Sequence, residues 1–78
     1  MTRASNDPII TLSGFVEAES AKAILFEVRK VGEEFTADPK KEWFPFSQTK
    51  RIVKQPKDSE ELDVLVVSEW ICKQKGLI

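Results

Sequence analysis

A basic and aromatic stretch, residues 40–57, holds the side chains whose types and spacing most clearly indicate a chemical role. It contains six basic residues and one acid, so its net charge is +5 (six minus one), whereas the whole chain of 78 residues carries −1. Lysine and arginine side chains contact phosphate groups, and an exposed aromatic ring offers a nucleobase a surface on which to stack. The pattern predicts a surface that binds nucleic acid or another partner, formed by Lys40, Lys41, Trp43, Phe46, Lys50, Arg51 and Lys54.

A structural role for the same stretch is the main alternative. A small domain has few aromatic residues for its core, so these rings could pack inside while the lysines keep a sheet edge soluble and unpaired. Phe44 and Phe46 would then share one strand face and Trp43 would take the other. Because Pro45 has no N–H to give to a ladder, this piece is predicted at an edge or a strand end, where Trp43 could be half exposed.

An acidic run directly follows the basic stretch. Residues 58–69 contain five acids and no base, which gives a charge of −5. If this run folds back onto the lysines, the charges neutralise each other. If the two segments diverge, the molecule is polarised, and its acidic face could occupy the nucleic-acid groove of another protein. The sequence leaves both arrangements open.

The composition argues against catalysis and against metal or cofactor binding. The chain contains no histidine, no tyrosine and one cysteine, Cys72. This removes the commonest general base, histidine-containing zinc sites and Ser-His or Cys-His nucleophiles. The three glycines are far apart, so they form no phosphate-cradling loop. We therefore expect a non-enzymatic protein with no cofactor and no bound metal.

Chain length and the lone thiol indicate one small domain in a reducing compartment. We expect a single domain, residues 1–78, in which residues 1–8 form a flexible N-terminal arm. No apolar run approaches the roughly 18 residues of a membrane span. A single cysteine cannot form an internal disulfide, so Cys72 is predicted to be a buried thiol and the protein to be cytoplasmic.

The pattern of apolar residues predicts a β-rich fold. Strands are expected over residues 9–16, 23–28 and 62–67, with short extended pieces at 43–46 and 51–53. Residues 17–20 are predicted to turn between the first two strands, which makes them a hairpin. Loops are expected over residues 32–39, where Phe35 would pin the loop to the core, and over residues 55–61.

Alternation within the strands predicts which side chains face the core. In the first strand these are Ile10, Leu12 and Val16, with a bulge or bend at Gly14. The second strand would point inward through Ile24, Phe26 and Val28. In the last strand Leu62, Val64 and Val66 are predicted to face in, and Asp63 to face out.

A short helix over residues 69–75 is predicted to follow the last strand. Ser68 is a suitable N-cap, and Gly76 suits the left-handed residue that ends a helix. Trp70 and Ile71 would anchor the helix on the sheet. The fold class that follows is α+β: a small bent antiparallel sheet or partly open β-barrel of about four strands, with one short C-terminal helix.

Three fragments of the chain resemble a known group of proteins. SAKAILF (residues 20–26), WFPFSQ (residues 43–48) and Trp70 followed by KGL (residues 75–77) are similar to motifs of small, mostly uncharacterised proteins of bacteriophages and mobile elements. Those motifs are Lys-Ala-Ile-Leu, Trp-x-Pro-x-Ser-Gln and Trp…Lys-Gly-Leu. This sequence departs from the pattern of that group in two places. Phe46 stands where a basic or polar residue is expected, and the segment of residues 50–61 is longer than expected. The resemblance implies a bacterial or phage setting and no catalytic residue.

Three functions are compatible with these observations. The leading hypothesis is a nucleic-acid-binding accessory protein that favours single strands. The alternative is a phage-type inhibitor, similar to an anti-CRISPR protein, that binds a host nucleic-acid-handling or defence complex. The second alternative is a homo-oligomer whose exposed Trp43 strand is its own interface.

Overall fold

The computed structural model describes residues 8–78 and shows a mostly β protein with one short helix. The strands are β1 (Ile9–Glu19), β2 (Ala23–Val31), β3 (Glu34–Pro45), β4 (Thr49–Val53) and β5 (Asp63–Ser68), followed by helix α1 (Glu69–Gln74). All neighbours are antiparallel in the order β3-β2-β1-β5-β4, so the sheet is unclosed, with β3 and β4 as its edges. The predicted antiparallel sheet with a C-terminal helix is confirmed, with five strands in place of about four.

Pro8, the first described residue, is hydrogen-bonded to the start of α1. Of the predicted N-terminal arm, only Pro8 lies within the described residues; its carbonyl accepts a hydrogen bond from the Glu69 N–H at 2.9 Å. In the part of the chain from Pro8 onward, no helix is long and apolar enough to cross a membrane.

Strand β3 corrects the expected loop over residues 32–39. The turn after β2 contains only Gly32 and Glu33, and Gly32 adopts a left-handed φ of 63° that suits glycine. Pro39 is tolerated because β3 bulges away from β2: between the pairs Lys30–Phe35 and Val28–Lys40, β3 advances five residues while β2 advances two. Phe35 is 73% exposed, with the Lys30 ammonium 5.1 Å from its ring centre, so the expected contact with the core was wrong.

Strand β1 is bent, and this bend shapes the sheet. Its first half pairs with β5 and its second half with β2, with a register shift at Gly14 as predicted. The shift brings the β2 backbone so close that a Cβ on Gly14 would lie 1.8 Å from the Glu27 carbonyl oxygen.

The connection between the two edge strands requires that bend. Ile10, near the start of β1, and Ala18, near its end, would be about 26 Å apart in a straight strand. A short 3-10 helix, Phe46–Gln48, nevertheless connects the end of β3 to the start of β4. The end of β3 pairs with the part of β2 that lies opposite Glu19, whereas the start of β4 pairs with the part of β5 that lies opposite Ile10. Four residues span at most about 14 Å, so the sheet must fold towards itself.

The core lies on the inner face of this bent sheet. Its buried members are Leu12, Ile24, Phe26, Val28, Phe44, Leu65, Val67, Ile71 and Cys72. The inward faces predicted for β1 and β2 are confirmed, with Ile10 and Val16 half-buried at the margin. The face predicted for β5 was wrong, because Leu65 lies opposite the buried Leu12 and Val67 opposite Ile10.

Helix α1 begins and ends as its sequence predicts. The Ser68 hydroxyl accepts a hydrogen bond from the Ile71 N–H at 3.2 Å. At the other end Gly76 has a φ of 72°, and the Leu77 N–H donates to the Cys72 carbonyl at 2.9 Å, which is a Schellman motif. Ile71 and Cys72 are buried, whereas Trp70 is 58% exposed, so the predicted anchoring by Trp70 was wrong.

Candidate nucleic-acid interface at Trp70

The structure distributes the predicted site residues over both edges of the sheet. Lys40, Lys41 and Trp43 lie on β3, and Lys50 and Arg51 lie on β4, with Lys54 just after it. Strands β2, β1 and β5 separate these edges in the ladder. Phe46, in the 3-10 helix, is half-buried against the core. The seven residues therefore come from different parts of the sheet, although Lys41 and Lys54 both reach acids at the end of β1.

Two of the predicted lysines have acidic partners at the end of β1. Lys41 Nζ lies 3.5 Å from Glu17 Oε1, and Lys54 Nζ contacts Glu19 Oε2. Exposed pairs of this kind contribute at most about 1 kcal/mol to stability, but they cancel the local positive charge. The sequence pattern missed both acids because they lie more than 20 positions from their partners. Asp58, Glu60 and Glu61 make no ion pair within residues 8–78.

Trp43 is exposed on the outer face of the sheet, as its place beside Pro45 predicts. Its side chain is 43% exposed, while Phe44 is fully buried on the inner face. Trp43 lies opposite Leu25, which lies opposite Ala18. Lys40 points the other way, opposite Val28, and lines a separate cleft of about 400 Å³ beside the C-terminal residues 76–78. Trp43 is therefore surrounded by apolar and ion-paired neighbours.

The second tryptophan, Trp70, lines a cleft of about 460 Å³ where α1, β5 and the 3-10 helix meet. Its other lining residues are Pro8, Gln48, Ser68, Glu69 and Lys73. The Ser68 hydroxyl donates to Gln48 Oε1 at 2.7 Å while it caps the helix. This bond orients the Gln48 amide and leaves its two N–H donors on the opposite side of the group.

One cation, Lys73, lines the Trp70 cleft, while Lys50 and Arg51 lie on the neighbouring strand β4 outside its lining. Strand β4 starts at Thr49, which lies opposite Val67, so Lys50 and Arg51 lie beside the end of β5 from which α1 departs. None of the three cations forms an ion pair within the described part of the chain. The two charged residues that line the cleft, Lys73 and Glu69, balance each other (one minus one).

An exposed aromatic ring and one basic side chain, Lys73, therefore occur together at the Trp70 cleft. Sequence reasoning missed this tryptophan because a Trp beside Ile71 in a short helix suits a core anchor. A usable signal was present in the motif fragments, since Gln48 ends the second fragment and Trp70 begins the third. The fold brings these fragments together through the Gln48–Ser68 hydrogen bond.

The other groups that could do chemistry are the Cys72 thiol and the carboxylates. Burial, with a smaller contribution from the Glu69 charge, raises the pKa of the Cys72 thiol, which keeps it protonated. Among residues 8–78 no three carboxylate or thiol side chains are grouped so that they could hold a metal ion. Comparison with protein-family models, with curated proteins and with solved structures finds no match to this chain.

Proposed function

We propose that this protein is a small, non-enzymatic nucleic-acid-binding accessory protein of the cytoplasm that favours single strands. The observation that carries the proposal is the Trp70 cleft, where an exposed indole ring, an oriented amide and the ammonium group of Lys73 meet. An unpaired base has a free face for the ring. In a duplex the base faces are stacked on each other, so the same ring gains nothing.

Each component has a distinct role in this proposal. Stacking of a base on Trp70 contributes about 1–3 kcal/mol. The Gln48 N–H donors face the edge of that base and can bond its carbonyl or ring-nitrogen acceptors. Lys73, Lys50 and Arg51 attract the phosphates on either side, and Glu69 accepts hydrogen bonds from an amino or hydroxyl group.

Two further parts of the proposal concern setting and scaffold. The motif fragments support a phage or mobile-element origin. The bend of β1 and the three-residue 3-10 connection support a partly open β-barrel as the scaffold that holds Gln48 against α1.

The test is a titration of labelled single-stranded oligonucleotide by fluorescence anisotropy. If Lys73, Lys50 and Arg51 each contact one phosphate, the logarithm of affinity should fall with the logarithm of salt concentration with a slope near −2, at roughly 0.7 per phosphate contact. Trp70→Ala should weaken binding about 5- to 150-fold, which corresponds to the loss of one stacked base. Trp43→Ala is the matched control and should bind an oligonucleotide too short to reach two clefts as wild type does.

Two outcomes would refute this function. One is an absence of binding at protein concentrations of tens of micromolar and about 50 mM salt, where the electrostatic contribution is strong. The other is a reversal of the two tryptophan variants, with Trp43→Ala weakened and Trp70→Ala unchanged.

A phage-type inhibitor of a host nucleic-acid-handling or defence complex is the second candidate. It is favoured by Asp58, Glu60 and Glu61, which are exposed in the loop between β4 and β5 and form no ion pair within residues 8–78. Such acids can imitate phosphates in the groove of another protein. Inhibition of a purified host complex that is lost on reversing these three charges, without oligonucleotide binding, would establish this function in place of the first.

A further inference from the structure

The outer face of β1, β2 and β3 carries an apolar row in register. Trp43, Leu25 and Ala18 lie opposite one another across the three strands. Phe15, which is 40% exposed, lies in the neighbouring row, opposite Glu27. Large apolar side chains exposed together on one face mark an interaction surface. We call these four residues, with the charged pairs beside them, the outer-face patch.

The charges of the outer-face patch are balanced in sign. Glu17 lies 3.5 Å from Lys41, and Glu27 lies 2.5 Å from Arg29, whose guanidinium is also 5.4 Å from the ring centre of Phe15. A partner of one charge sign, such as a nucleic acid, therefore gains no net attraction at this face. A surface with the same balance of both signs is electrostatically complementary to it.

The edge of the sheet next to this patch is protected against pairing. Strand β3 carries Pro39, Lys40, Lys41 and Pro45 along its length, and it bulges at residues 36–39. Prolines, lysines and bulges are the features by which edge strands avoid joining another sheet. Association at this side of the molecule must therefore use the face of the sheet.

We propose that the outer-face patch binds a second copy of this chain across a two-fold axis. In such an arrangement the Trp43 row packs against its own copy, and Lys41 of each chain meets Glu17 of the other without leaving an unpaired charge. Helix α1 packs on the inner face through Ile71 and Cys72, so both Trp70 clefts stay open in the dimer. The dimer does not depend on what those clefts bind. If they bind single strands, two clefts on one particle increase the affinity for a strand long enough to reach both.

Sedimentation equilibrium over a wide range of protein concentrations tests the proposal. Wild type should show twice the chain mass of 8.9 kDa, and Trp43→Ala should raise the dimer dissociation constant at least tenfold. Trp70→Ala is the matched control and should dimerise as wild type does. Lys41→Glu should weaken the dimer, and adding Glu17→Lys to it should restore the dimer, because the exchanged charges are again complementary.

Three results would overturn the proposal. The first is a mass of 8.9 kDa for wild type at every concentration. The second is a dimer that Trp43→Ala and Lys41→Glu leave unchanged, since the interface would then lie elsewhere. The third is a failure of the double charge exchange to recover what Lys41→Glu loses. The Lys41 side chain is 56% exposed, so its variants should fold even if Trp43→Ala does not.

Discussion

Replacing Asp63, the first residue of β5, by alanine should destabilise this protein more than replacing any acid of the loop that precedes β5. Its carboxylate accepts two backbone hydrogen bonds, one from the Val16 N–H at 3.0 Å and one from the Gln55 N–H at 2.7 Å. Val16 belongs to β1 beyond the point where β5 stops pairing with it, and Gln55 follows β4. Asp63 therefore extends the junction of β1, β5 and β4 beyond the last ladder pairs, Gly14–Asp63 and Val53–Val64.

The size of the effect follows from these two bonds. Hydrogen bonds to a charged group contribute about 1.5–3 kcal/mol each, and a buried donor that loses its acceptor costs about 1–3 kcal/mol. Both donors are only partly buried, so water can replace some of the loss. We expect Asp63→Ala to lower the free energy of unfolding by about 2–4 kcal/mol, out of a total of about 4–12 kcal/mol for a chain of this length.

Thermal and urea unfolding monitored by circular dichroism measure this loss. At about 4–8 °C per kcal/mol, the melting temperature of Asp63→Ala should fall by about 8–32 °C. Asp63→Asn keeps one acceptor oxygen and should fall between wild type and Asp63→Ala. Glu61→Ala removes a nearby exposed acid and is the control. If Asp63→Ala melts within a few degrees of Glu61→Ala, the carboxylate does not hold these segments together.

Three further predictions concern Gly14, Trp70 and Cys72. Gly14→Ala should lower the free energy of unfolding in urea by about 3 kcal/mol or more, because the added Cβ would collide with the Glu27 carbonyl. Gly32→Ala has open space around its Cβ and should lower it by only about 1–2 kcal/mol, because of the left-handed φ. Trp70→Ala should stay folded and lose only about 1–2 kcal/mol in a thermal melt, since most of its side chain is already in solvent; complete unfolding would contradict this. The raised pKa of Cys72 stabilises the fold fully below the thiol's ordinary value of 9.0, and this contribution is lost as the pH rises through the folded-state pKa. At alkaline pH the melting temperature of wild type should therefore fall more steeply with rising pH than that of Cys72→Ala. Parallel curves would refute the link between Cys72 ionisation and stability.

Local patterns in the sequence were enough to predict several parts of the fold. The inward face of β2 follows from the placement of Ile24, Phe26 and Val28 at every second position. The start and end of α1 follow from Ser68 and Gly76, which act on backbone groups within a few positions of themselves. Pro45 predicts a strand end because its missing N–H is a property of that residue alone. Each of these features depends on interactions over short sequence distances.

The candidate site was only partly predictable for the same reason. Lys50 and Arg51 were identified as candidate ligands of phosphate from their charge. The ring that accompanies them, Trp70, was assigned to the core, because the sequence does not say which side of a six-residue helix faces the sheet. The exposure of Trp70 is decided by Ile71 and Cys72, which fill the space above the inner face.

The sequence by itself determined the β-rich class, the C-terminal helix with its caps and the inward face of β2. Tertiary structure alone decided the inward face of β5, since in the apolar run of residues 64–67 both faces are equally hydrophobic and the pairing of Leu65 with Leu12 selects one. It also decided which lysines are neutralised, because Glu17 and Glu19 reach Lys41 and Lys54 only after β1 bends. The physical reason is common to both. Strand register and ion pairing depend on residues that are distant in the chain and become neighbours only when the sheet bends around its core.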